Sequence, residues 1–297
     1  MALPVFKSVA INTPTTSTTS QTVVVPTGTG LTPLAGDVIL FFVAAAAGPT
    51  SGTSTPPAAF TELTPAAGAT GYSSRAFWKL SDGTEGGTTL TWTNTTNAKR
   101  PLIVAVYGGV SGVPIAVQSN ASQGTASTSH PSPASTSTAA DQLEVTIGMD
   151  AVSAGATQTS LWTFPSPLTK RASVFTPLVA SSSMSLADSG TTPVAAGAAL
   201  GSRAVTADIA AIGTSWTILL ASVASALTAS LTVSPTFGTI PFTVTATATA
   251  SGGTGTVKNY AFVWGDGATT PAQVGVSATH SYTSSGSYTV TVTVTNT

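Results

Sequence analysis

Short strand-like segments recur along the whole chain, about one every ten to fifteen residues, with turn residues between them. Several of them alternate, as in Thr89–Thr93, where Leu90 and Trp92 would face a core and the threonines would face solvent. Others, such as Val38–Val43 and Ile218–Leu220, are apolar on both faces and are expected in the middle of the fold. This pattern predicts an all-β protein built from a sandwich or jelly roll.

The composition also favours strands joined by turns. The 297 residues include 28 Gly and 19 Pro, 42% are hydrophobic, and only 6% are charged. Disorder usually requires lower hydrophobicity and higher net charge. Because 9 basic and 10 acidic residues leave a net charge of -1, we expect no binding to nucleic acid or to a membrane surface. The absence of cysteine excludes disulfides and thiolate chemistry.

A change in the strand pattern near Ala226–Thr228 suggests two domains. We expect a large sandwich or jelly-roll domain over residues 1–226 and a small sandwich over residues 227–297. Within the first, Asn12–Thr22 and Ser119–Ala140 are rich in Ser and Thr and resemble low-complexity linkers. The N-terminus lacks the basic start and apolar core of a secretory signal, so synthesis for the cytosol is expected.

The end of the chain, from Ser234 onward, carries a series of specific motifs. In order they are Pro235–Gly238 with Pro241–Val244, Trp264–Gly267, His280–Tyr282 and Gly286–Val290, the last leading into an alternating strand. The series resembles the immunoglobulin-like domain of the polycystic-kidney-disease (PKD) type. That resemblance implies a small β-sandwich used as a spacer or adhesive module, and it does not by itself decide function.

Asp266 and His280 are the residues of this segment most easily taken for a site. They could be a metal-ligand pair or an acid/base pair, or a turn carboxylate and a half-buried histidine that support the loop end of a sandwich. A metal site needs several ligands, and residues 227–297 contain no other acidic residue or histidine. The structural role is therefore the expected one.

A second resemblance covers roughly Gly36–Met149 and rests on strand and turn phrases. These are Gly36–Leu40, Pro56–Leu63, Phe77–Gly83, Thr89–Thr93, Val104–Gly112 and Ala140–Val145. In this order they are similar to a β-sandwich domain of virion proteins, many of them minor tail proteins, from tailed phages that infect actinobacteria. Ala59 stands where that family usually has Gly before the aromatic residue.

Candidate catalytic residues are few. The acids that could act in pairs are Asp82 with Glu85, and Asp141 with Glu144. We expect local roles for them, with Asp82 and Glu85 at a turn and Glu144 pointing to water. A serine triad would have to use His130 or His280, and the chain has no Gly-x-Ser-x-Gly elbow. No catalytic, cofactor-binding or metal-binding residue is predicted, and no cofactor.

Five tryptophans could supply a sugar-stacking surface if several were exposed together. They are Trp78, Trp92, Trp162, Trp216 and Trp264. All but Trp162 lie in strongly alternating or apolar strands and are expected in the core. Trp162 is therefore the strongest candidate for exposure.

Together these features predict a non-enzymatic structural protein of a tailed-phage virion, either a minor tail or accessory protein or a capsid decoration protein. Its expected partners are tail or capsid subunits and further copies of itself, with host surface glycans as a further contact. It would be assembled in the host cytoplasm and reside in the virion. The alternative from another class is a secreted bacterial carbohydrate-binding or adhesive protein.

Overall fold

A computed structural model describes most of the chain, in the ranges 3–46, 54–64, 72–151, 162–176, 182–223, 226–253 and 258–296. The regular secondary structure in these ranges is entirely β, which confirms the predicted fold class. The chain divides into two compact units, Ala2–Val223 and Ala224–Thr297, described separately below. Within the same ranges there is no helix with the length and apolar character needed to cross a bilayer.

The first half of the larger unit consists of eight strands. They form a five-stranded sheet in the order β1-β8-β3-β6-β5 and a three-stranded sheet in the order β2-β7-β4, with every pairing antiparallel. The strands are β1 Val5–Asn12, β2 Thr18–Val24, β3 Val38–Ala46, β4 Ser54–Thr55, β5 Thr61–Glu62, β6 Tyr72–Leu80, β7 Thr89–Ala98 and β8 Leu102–Gly108.

The second half of this unit contains seven strands. A five-stranded antiparallel sheet has the order β12-β13-β11-β15-β9, and a two-stranded sheet pairs β10 with β14. The strands are β9 Val110–Ser129, β10 Ser135–Thr136, β11 Leu143–Ala151, β12 Thr169–Phe175, β13 Ser182–Asp188, β14 Ala199–Leu200 and β15 Thr206–Ser222.

The two halves repeat one topology. The large sheet of the second half, taken from its other edge, has the order β9-β15-β11-β13-β12, which matches β1-β8-β3-β6-β5 strand for strand in chain order. The small sheets correspond as well, since β2 pairs with β7 in the first half and β10 pairs with β14 in the second. The larger unit is thus two copies of one sandwich plan joined in tandem.

The two large sheets pack against each other through one apolar cluster. On one face of β3, Val38, Leu40 and Phe42 belong to this cluster together with Val145 and Ile147 of β11. The other face of β3 meets the small first-half sheet in a second cluster that includes Val23, Leu90 and Trp92. The central strand is buried on both sides, as its continuous apolar sequence predicts.

The outward face of the second large sheet is polar and yet buried. Along β11, Glu144, Thr146 and Asp150 alternate with the apolar residues of the inner face, and each is no more than 1% exposed. Trp162 and Val205 form a small apolar cluster that is part of the cover over this half. Buried polar side chains require internal partners, and several of these are described below.

The interpretation of Ser119–Ala140 as a linker is wrong. Strand β9 runs on to Ser129 and pairs with β15 through several register shifts, and Ser135 and Thr136 form β10. Hydroxyl side chains bond across the ladder, as between Ser122 and Thr214 at 3.2 Å. Pairing with a long neighbouring strand has overridden the loop-like local composition.

Asn12–Thr22 is also partly strand, because β2 begins at Thr18. Farther along the chain, Thr206–Ser222 form one continuous strand, β15. The strand continues through Gly213 without a turn, and the residues from Gly213 to Leu220 are all buried.

Ala59 occupies the left-handed region of backbone space, with φ of 65°. This conformation costs a residue with a Cβ about 1–2 kcal/mol, which exceeds the roughly 0.5–1 kcal/mol that glycine loses in backbone entropy. We expect Ala59→Gly to raise the free energy of unfolding by about 0.5 kcal/mol in urea titrations. The neighbouring Ala58→Gly serves as control and should lower it; a loss of stability in both variants would contradict this account.

The C-terminal unit is a small sandwich of two three-stranded antiparallel sheets. Their orders are β16-β17-β20 and β19-β18-β21. The core between them holds Val244, Ala246, Phe262 and Trp264, with Tyr282 closing one end. The strands are β16 Thr228–Ser234, β17 Phe242–Ser251, β18 Lys258–Val263, β19 Thr269–Gln273, β20 Ser277–Tyr282 and β21 Thr291–Asn296.

Candidate functional site

The turn after β18 brings Asp266 and His280 together. His280 Nε2 lies 2.7 Å from Asp266 Oδ2, and the Ala268 amide donates to Asp266 Oδ1 at 3.0 Å. The amide of Ala268, and then His280, hold the pKa of Asp266 below its usual value. The His280 ring stacks on Trp264 with centroids 5.0 Å apart. The pair therefore ties the turn to the sandwich, as the structural interpretation predicts.

No group of three or more His, Cys, Asp or Glu side chains that could hold a metal ion occurs among the described residues.

Gly265 allows the backbone of the turn after β18 to adopt its conformation. Its φ is +84°, and a Cβ there would lie 2.7 Å from the Thr289 carbonyl oxygen. Only glycine fits this position, which fixes the turn against the segment that precedes β21.

A family model described as PKD domain matches residues 228–297. This segment is a PKD domain. The match covers the six strands and the Trp264–Gly267 turn, and the PKD domain starts close to the boundary between the two compact units. No curated protein and no solved structure matches the chain.

The PKD domain has a cleft of about 700 Å³ at one end. One wall is the Pro235–Ile240 loop, another is the Ser284–Ser287 loop, and Phe242 of β17, Tyr282 of β20 and Tyr288 add aromatic rings to the lining. Its volume falls within the range usual for small-molecule sites. The sequence motifs place both loops in the family pattern, but they give no sign that the loops line one cleft.

Phe237, on the first wall, is 87% exposed, more than any other large hydrophobic residue of the described chain. Tyr288 is held rigidly, because its ring stacks on Tyr282 at 4.3 Å and its hydroxyl donates to the Ser284 carbonyl oxygen at 3.1 Å. Phe242 lies against Gly238, where a Cβ would come within 2.2 Å of its ring. Sequence reasoning missed Phe237 as a candidate, although an apolar residue in a Pro- and Gly-bounded loop was a usable signal.

In the larger unit, Asp82 and Glu85 have the local roles expected of them. Asp82 is exposed and accepts hydrogen bonds from the Thr84 amide and hydroxyl. Glu85 is buried, and although burial raises its pKa, hydrogen bonds from Lys79 and Ser81 outweigh that effect and lower the pKa to about 2. Both carboxylates serve the turn between β6 and β7.

Glu144 does not point to water, contrary to the prediction. It is 1% exposed and accepts two hydrogen bonds from Arg203, one of them from Nε at 2.8 Å. Asp141, the other member of the proposed pair, precedes β11 in a left-handed conformation with φ of 57°. Glu144 faces the buried polar side of β11, a side that sequence alternation alone cannot distinguish from a solvated one.

Trp162, the tryptophan most expected to be exposed, is buried, so that expectation is wrong. It is 1% exposed and its Nε1 donates to Ser183 Oγ at 2.7 Å. Gly148 of β11 makes room for the ring, since a Cβ there would lie 2.3 Å from it. Trp92, Trp216 and Trp264 are buried as expected; Trp78 is half-buried against the core.

His130 lies fully buried beside Trp162, with ring centroids 5.3 Å apart. Its Nδ1 is 2.7 Å from Gln123 Oε1. Ser183 donates to Asp150 Oδ1 at 2.6 Å, so the rings sit next to a chain of buried polar groups. The candidate residues of the two units are thus embedded in structural contacts, and the PKD cleft is an open concave surface.

Burial lowers the pKa of His130 from 6.5 to about 4. His130 therefore takes up a proton near pH 6.5 in the unfolded chain but only near pH 4 in the folded chain. The stability that the neutral ring contributes is present above pH 6.5 and is lost between pH 6.5 and pH 4. Lowering the pH from 7 to 4.5 should reduce the free energy of unfolding in both proteins. We expect this reduction to be about 2–3 kcal/mol smaller in His130→Phe than in the wild type. Urea titration at the two pH values measures this; an unchanged pH dependence would contradict it.

Proposed function

We propose that the chain is a non-enzymatic structural protein of a tailed-phage virion, a minor tail or accessory protein or a capsid decoration protein. Residues 2–223 dock to tail or capsid subunits, and the PKD domain is displayed outward, where it contacts host surface glycans. The protein is assembled in the host cytoplasm, and several copies associate in the particle. Neither nucleic acid nor membrane is a partner.

One observation carries this proposal: the tandem sandwich of the larger unit uses its acidic side chains to fasten the fold. Glu85 pairs with Lys79, Glu144 pairs with Arg203, and Asp82 caps a turn. Such an arrangement supports a rigid scaffold role, because a carboxylate that acts on a substrate must face a cleft. The resemblance of Gly36–Met149 to phage virion proteins supports the location.

Mass spectrometry of gradient-purified particles tests the proposal. The phage used is one whose genome encodes this chain, and a deletion mutant of the same phage is the control. We expect peptides of both units in wild-type particles, in a constant ratio to the major capsid protein across the gradient. Absence of the chain from intact particles would overturn the proposal.

A secreted bacterial carbohydrate-binding or adhesive protein is the second candidate. The exposed Phe237 beside a cleft favours it, since binding modules present aromatic rings to their ligands. Under this alternative the chain would be recovered from the culture medium or surface of uninfected bacteria. The same fractions, taken before and after infection, distinguish the two candidates.

A further inference from the structure

The cleft of the PKD domain has a lining with a distinct chemical character. None of its sixteen lining residues carries an ionisable acid or base other than the phenols of Tyr282 and Tyr288. Hydroxyl residues come from both loops, and the other lining residues are apolar, aromatic or glycine. The hydroxyl residues are Thr236, Thr239, Ser284, Ser285 and Ser287.

This lining is selective about charge. A charged ligand entering the cleft would give up hydration without meeting an opposite charge, which is costly. Asp266 and His280 of the same domain are not among the lining residues, and they bond to each other at 2.7 Å. The cleft therefore fits an uncharged ligand.

The lining also indicates a ligand that is amphipathic on a small scale. Phe237 and Tyr288 offer ring faces to apolar groups, and serine and threonine hydroxyls both donate and accept hydrogen bonds. A wholly apolar ligand would leave the five hydroxyl residues without a role. A pyranose has an apolar C–H face and a rim of hydroxyl groups, which matches this division.

The rings are held in position before any ligand arrives. Tyr288 is fixed by its stacking on Tyr282 and by its bond to Ser284, and Phe242 is fixed against Gly238. Preorganised rings lose little conformational entropy on binding. Phe237 is the exception, since its ring is 87% exposed and gains contacts only when a ligand covers it.

We infer that this cleft is a binding site for neutral carbohydrate, in which Phe237 and Tyr288 stack on sugar rings and the two hydroxyl-bearing walls bond to sugar hydroxyls. The inference rests on the proposed function in that the displayed domain must reach host surface glycans. It adds the site, the charge class of the ligand and the residues that recognise it.

A glycan array probed with the full chain, followed by calorimetry on the best neutral oligosaccharide, tests the site. We expect binding to neutral glycans and none to sialylated or sulfated ones. Phe237→Ala should weaken binding about two- to twelvefold, because stacking of one aromatic ring is worth about that much. Val274→Ala is the matched control, since Val274 is 68% exposed in the same domain and lies outside the cleft.

Three results would overturn the inference: no neutral glycan bound at millimolar concentration, unchanged binding by Phe237→Ala, or preference for anionic glycans. Analytical ultracentrifugation of the same variants adds a fourth, since a wild-type dimer abolished by Phe237→Ala would identify the occupant as a second copy of the chain. Incorporation into particles is measured separately. A chain present in particles that binds no glycan defeats the site and the proposed glycan contact but leaves the virion role standing. A glycan-binding chain absent from particles defeats the virion role alone.

Discussion

Replacing Asp188 with alanine is expected to destabilise the larger unit by about 3–5 kcal/mol, the usual cost of removing one partner from a buried ion pair. Asp188 is fully buried on β13 and accepts two hydrogen bonds from Arg171, both at 2.8 Å. It also accepts from the Tyr107 hydroxyl of β8 at 3.1 Å and from the Gly190 amide at 2.8 Å. The substitution leaves a cation and a phenol without their acceptor at the junction of the two sandwich halves.

Urea unfolding of Asp188→Ala is best compared with Glu62→Ala. Glu62 also forms a two-point pair with an arginine, Arg75, but both side chains are about a quarter to a third exposed. Exposed pairs contribute about 0–1 kcal/mol. Equal losses of stability in the two variants would show that Asp188 does not join the halves as described.

Replacing Trp162 with alanine should cost about 3–5 kcal/mol, as expected for truncating a fully buried aromatic residue. The ring fills the space above Gly148, contacts the His130 ring at a tilt and donates to Ser183. Its removal leaves a void in the covered polar face of the second half, and Ser183 keeps only its bond to Asp150. The measurement is again the free energy of unfolding in urea.

Leu34→Ala is the control for Trp162→Ala, because Leu34 is 63% exposed in the same unit and should cost less than about 0.5 kcal/mol. Glycan binding by Trp162→Ala should be unchanged as long as the protein remains folded. A variant of normal stability that had lost glycan binding would instead restore the interpretation of Trp162 as a surface residue.

Sequence reasoning succeeded where a residue's surroundings follow from its neighbours along the chain. In Thr89–Thr93, alternation correctly placed Leu90 and Trp92 in the core. The continuous apolar run of β3 correctly predicted burial on both faces, and the PKD motifs identified the C-terminal sandwich. Each of these is a local pattern.

It failed where a distant segment determines the environment. Glu144 and Trp162 are buried because other parts of the second half cover the outward face of β11, and nothing near either residue in sequence signals that cover. The Ser/Thr-rich stretch of β9 became a strand because β15 is long enough to pair with it. Loop-like composition does little to prevent such pairing.

The repeated topology of the larger unit was also not predicted from the sequence. The corresponding strands β3 and β11 read VILFFVAAA and LEVTIGMDA, one apolar on both faces and one polar on its outward face. The difference arises because the outward face of β3 meets an apolar sheet, whereas on that of β11 Glu144 is paired with Arg203 and Asp150 with Ser183. Sequence similarity between the two halves is limited to short stretches. One example is Asp82-Gly83-Thr84 after β6 and Ser189-Gly190-Thr191 after β13.

An electron-microscopy map of the intact phage particle tests the central claim most directly. The proposed function predicts density for residues 2–223 packed against tail or capsid subunits, with the PKD domain on the outside and its Phe237 cleft accessible to solvent. A map in which the chain has no density, or in which the PKD domain is enclosed between other subunits and the larger unit faces solvent, would contradict it.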